Sequence, residues 1–105
     1  MKVRLTPEAR SKLDAVLDRI LRDNPFAARR YRSSLGRALL RLGRFPQLGH
    51  FIAEYPSAPA KQFLVEPYRF FYFIDERHRT VWVIDIWHGA QLPADPHLSV
   101  VGPEQ

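Results

Sequence analysis

Six arginines fall between residues 29 and 44: Arg29, Arg30, Arg32, Arg37, Arg41 and Arg44. No aspartate or glutamate occurs between Asp23 and Glu54. A guanidinium is a planar fork of donors that can bind two oxygens of one carboxylate or phosphate. The chemistry on offer is anion recognition, with a polyanion or an acidic protein as partner. A solvated helix face is the competing reading. Other chemistries lack their residues. Cysteine is absent, which excludes disulfides, thiolate metal sites and a cysteine nucleophile. His50, His78, His88 and His97 are scattered, without zinc-site spacing. There is no phosphate-binding glycine loop and no Ser/His/Asp signature.

The arginines need an element to line them up. Asn24-Pro25 caps and opens a helix expected from about Pro25 to Leu42. At helical spacing Tyr31, Leu35, Ala38 and Leu42 share one face, and Arg30, Arg37, Arg41 and Arg44 form a stripe opposite. A helix precedes it. Thr6-Pro7-Glu8 carries a cap, a first-turn proline and an acid, and Ala9, Leu13, Val16, Leu17, Ile20 and Leu21 recur at helical spacing. So short a join predicts an antiparallel hairpin of two helices. Before it, Lys2 to Leu5 alternates as a short strand near an edge.

Residues 43 to 60 read as a long connection rich in glycine and proline, and so a candidate functional loop. Strands follow at Lys61 to Glu66, Tyr68 to Asp75 and Thr80 to Trp87, joined by short turns as an antiparallel meander. The expected class is α+β in the order β-α-α-β-β-β, an antiparallel sheet with the helical hairpin on one face. Both faces of the last two strands are apolar. Strict alternation puts Trp82, Ile84 and Ile86 on one side and Val81, Val83, Asp85 and Trp87 on the other. The face away from the helices is expected to need a cover: the long loop, the tail, a second copy or a partner.

The whole chain sets the bounds. Its 105 residues make one domain. Hydrophobic residues are 46% and charged residues 26%, too apolar a mixture for disorder. The formal net charge is +5, but residues 1–45 carry +8 and residues 46–105 carry −3. No apolar run approaches the ~18 residues of a membrane span, and the start MKVRLTPEAR has no signal-peptide core, so a cytoplasmic protein without a membrane role is expected. Residues 93–105 hold Pro93, Pro96 and Pro103 and are expected to be an irregular tail after a domain of residues 1–92.

LTPEAR, NPFAARRYRSSL, RFPQLG, VEPYRFFYFID and a strand ending in Trp87-His88-Gly89 follow one another in this order. Together they resemble the RelE/ParE superfamily of type II toxin–antitoxin toxins, over about residues 2–93. The resemblance implies the same fold and a cognate antitoxin that neutralises the chain. RelE-like members cut messenger RNA on the ribosome. ParE-like members inhibit DNA gyrase and are not known as nucleases.

Ribosome-dependent cleavage is the leading expectation from the resemblance. It has the 2′-hydroxyl attack the phosphate, requires no metal or other cofactor, and needs a base, an acid and cations. The resemblance assigns Arg69 to the scissile phosphate, His88 to acid–base work and Lys61 to a supporting charge. Glu54 on the long loop is a further candidate base, whereas Tyr68 and Tyr72 are expected to pack in the sheet. Gln91 departs from the arginine many relatives carry after His-Gly, which weakens a cationic site. Gly89 is expected to supply a special backbone angle. Arg30, Arg37, Arg41 and Arg44 are expected to meet ribosomal RNA or an acidic antitoxin segment. The alternatives are a gyrase poison that works by binding, and a degenerate toxin that retains antitoxin binding. Self-association is expected where the antitoxin is absent.

Overall fold

A computed structural model describes residues 1–52 and 59–89. The expected tail, Glu54 and Gln91 lie outside the described residues. The chain runs through β1 (Lys2–Leu5), α1 (Pro7–Asp23), α2 (Pro25–Arg44), a 3-10 turn (Pro46–Leu48), β2 (His50–Phe51), β3 (Lys61–Val65), β4 (Tyr68–Asp75) and β5 (Thr80–His88). Two helices pack on one sheet of order β1-β5-β4-β3-β2. This is the α+β arrangement read from periodicity, with one strand more. The added strand, β2, is two residues long and pairs antiparallel with Phe51 opposite Lys61.

The helix boundaries follow the capping residues. Thr6 accepts the Ala9 N–H at 3.2 Å, and Pro7 needs no donor at the first position. Asn24 serves both helices. Its backbone N–H closes α1 on the Ile20 carbonyl, and its side chain accepts from Phe26 and Ala27 to open α2. The second helix extends to Arg44, two residues beyond the expectation from its apolar face.

The sheet is mixed, not antiparallel throughout. β1 lies parallel to β5, with Val3 opposite Val81. A parallel pair needs a long crossover, and the helical hairpin supplies part of it. β3, β4 and β5 form the expected meander.

The face assignment of β5 is corrected by a bulge. Phe71 pairs with Asp85, but Tyr72 pairs with Val83, so Ile84 is the extra residue. Parity therefore changes within the strand. Val81, Val83 and Ile86 join the helix-side core with Tyr68, Phe70 and Tyr72. Ile84 and Trp87 join Phe71 on the other face. Leu13, Tyr31, Leu35 and Leu42 complete the helix-side core. Full burial of one such leucine contributes about 1.5–3 kcal/mol. The Tyr31 hydroxyl donates to the Val65 carbonyl at 2.8 Å, which ties α2 to the end of β3. Burial pushes that hydroxyl well above its ordinary pKa, and nearby Tyr68 adds to the rise.

Of the covers expected for the far face of the sheet, the described residues of the long connection supply part. Ile52 and Ala60 pack with Phe71, Ile84 and Trp87 into a second buried cluster, with Phe73 and Trp82 half-buried beside it. Exposed large apolar side chains lie elsewhere, among them Phe26 and Leu40 on α2 and Leu64 on β3. Among the described residues, no helix is long and apolar enough to cross a membrane.

Candidate functional site

Arg69 is on β4, opposite Trp87. It is 8% exposed. Its Nε donates to Gln62 Oε1 at 2.8 Å, and its guanidinium carbon lies 5.2 Å from the Phe71 ring centre. The side chain thus belongs to the face away from the helices. His88 is one residue beyond Trp87 and pairs with Tyr68. Its ring stands edge-on to Tyr68, centroids 5.3 Å apart, and Tyr68 faces the helices. The backbone register brings Arg69 and His88 close in sequence order across the sheet. The pleat sends their side chains to opposite faces.

Lys61 opens β3 and pairs with Tyr72. Its Nζ sits over the Phe51 ring, 4.9 Å from the centre. From the Lys61–Tyr72 pair to the Tyr68–His88 pair is four residues of strand, about 13 Å. The three expected catalytic residues are therefore not gathered around one phosphate. Tyr68 and Tyr72 pack in the sheet, as expected. The Tyr72 hydroxyl donates to the Pro46 carbonyl at 2.7 Å and accepts the Gly49 N–H at 3.0 Å.

Gly89 corrects a further expectation. It has no positive φ. Its N–H donates to the Pro67 carbonyl at 2.6 Å, and a Cβ there would lie 2.9 Å from that same oxygen. Close backbone approach, not a left-handed angle, suits glycine to this position.

The structure brings the four stripe arginines together along α2. Arg30, Arg37, Arg41 and Arg44 are all exposed on α2. They span roughly 60° of the helix circumference and about 21 Å of its length. The buried residues Ala28, Tyr31, Leu35 and Leu42 take the other side. Two shallow grooves of about 390 and 400 Å³ flank the stripe and meet at Ser34 and Arg37. The first is floored by Phe26, Arg29, Arg30 and Ser33, the second by Arg41, Leu64 and Glu66 among others.

Phe26 is a component that the sequence reading passed over. Its ring is 66% exposed and carries Arg29 above it at 5.6 Å. The signal was available, because Phe26 falls at the helical angle of Arg44. The second feature passed over is Asp85, which is 2% exposed. Lys12 reaches it from α1 beyond the end of β1, and it also accepts from the Ile86 N–H and the Trp87 indole. Lys12 and Asp85 are 73 residues apart, so no local pattern announces their contact.

Residues 3–93 match the family model described as the ParE toxin of type II toxin–antitoxin system, parDE. The chain belongs to the ParE toxin family. Among solved structures it is similar to a chain described as the chromosomal ParDE TA system from P. aeruginosa. The two are 17% identical, the match covers 84% of this chain and 95% of that one, and the TM-score is 0.66. At that identity the likeness shows the shared fold. No curated protein matches the sequence.

Proposed function

We propose that this ParE-family toxin inhibits DNA gyrase by binding it, without cutting RNA, and that a cognate antitoxin neutralises it. One observation carries the choice between the two modes of toxicity: Arg69 and His88 project from opposite faces of the sheet. Cleavage through a 2′-hydroxyl needs a base, an acid and a cation around a single phosphate. Arg69 is buried and engaged with Gln62, and Lys61 is a strand's length from His88. Inhibition by binding makes no such demand, and family membership favours it.

The test adds the purified full chain to a gyrase supercoiling reaction and, separately, to ribosomes programmed with messenger RNA. Supercoiling is expected to fail while the message stays intact. His88→Gln is expected to inhibit gyrase as the parent does. Cut message with unimpaired supercoiling would return the function to ribosome-dependent cleavage.

A further inference from the structure

We infer that the arginine face of α2 is a DNA-binding surface that holds the phosphate backbone, so the toxin touches nucleic acid as well as enzyme. The charge is local to this helix. α1 balances Arg10, Lys12, Arg19 and Arg22 against Glu8, Asp14, Asp18 and Asp23. α2 carries six arginines and no acid. None of the six has a carboxylate partner among the described residues, and Arg37 bonds only to the Ser34 hydroxyl, at 3.3 Å. The cost to the fold is real: Arg29/Arg32, Arg37/Arg41 and Arg41/Arg44 are like charges one turn apart, each unfavourable by about 0.2–0.5 kcal/mol.

The side chains beside the stripe suit phosphate better than an acidic peptide. Ser33 and Ser34 add hydroxyl donors to the guanidinium forks, and these are the groups that hold phosphate oxygens. Phe26 with Arg29 above it offers an apolar face against which a backbone sugar can rest. A docked acidic helix would need an apolar trough along the stripe. Here the exposed large apolar side chains stand at the two ends, Phe26 at one and Leu64 at the other, and Glu66 beside Leu64 would oppose an acidic peptide. The rigid span of about 21 Å matches several successive phosphates of a strand at about 3.4 Å per residue. The source of the DNA, a duplex held by gyrase, rests on the reading proposed above. The surface chemistry does not.

The experiment measures binding of the full chain to a random-sequence DNA duplex by fluorescence anisotropy across a salt series. Each phosphate neutralised adds about −0.9 to the slope of log affinity against log salt. The triple variant Arg30→Gln, Arg37→Gln, Arg41→Gln removes exposed charges and is expected to flatten the slope by about 2.7. The matched variant Arg10→Gln, Arg19→Gln, Arg22→Gln on α1 makes the same change in net charge and is expected to keep most of the slope. Equal loss in both would reduce the effect to net charge and overturn the inference. So would absence of duplex binding at low salt, or tight binding of poly-glutamate with none of DNA. Supercoiling inhibition is read on the same preparations. Inhibition without DNA binding sinks this inference alone, and DNA binding without inhibition sinks the gyrase reading alone.

Discussion

Tyr72 carries more of the structure than its place in the alternation of β4 suggests. The residue is fully buried, and its hydroxyl bridges Pro46 and Gly49 at the turn between α2 and β2. Burial raises its pKa, and the Gly49 N–H opposes the rise. Tyr72→Phe leaves both backbone groups short of a partner. We expect a loss of about 1–3 kcal/mol, read as a lower urea midpoint with unchanged slope. The hydroxyl's partners lie more than twenty residues away, so no local pattern announces them. Arg69 and His88 pose the same difficulty. Both positions stand out in the sequence by residue type. Their divergence does not, because it depends on which residue of β5 stands opposite Arg69. A one-residue difference in pairing exchanges the faces.

Among the elements, the helices were legible nearly to the residue because their signals are local. Thr6, Pro7, Asn24 and Pro25 state both starts and one stop. Asn24→Ala removes the acceptor that serves Phe26 and Ala27. It is expected to lower stability by about 1 kcal/mol in thermal or urea unfolding, and Asn24→Asp should recover most of it. The strands were legible as segments and less so as a sheet. The bulge at Ile84 breaks the period of two and hands Ile86 to the helix side. The two-residue β2 sits inside what composition reads as loop, and its pairing with β3 comes from register, not propensity. The reverse face fills because Ile52 and Ala60, far apart from Trp87 in sequence, fold onto it.

At the scale of the molecule, the strand formed first in sequence is a neighbour of the strand formed last. Val3 lies opposite Val81, and the Thr6 N–H bonds to the Val83 carbonyl. Both helix-side core and edge pairing draw on β5. A fragment ending at residue 79 should therefore lack a cooperative unfolding transition, and a cooperative one would show that the helical hairpin with β3 and β4 is self-sufficient. Vectorial synthesis gives this adjacency a second meaning. While a nascent polypeptide is still short of Thr80, Lys2–Leu5 has nowhere to dock, so the earliest-made strand waits for one synthesised after both helices before its edge of the sheet can form.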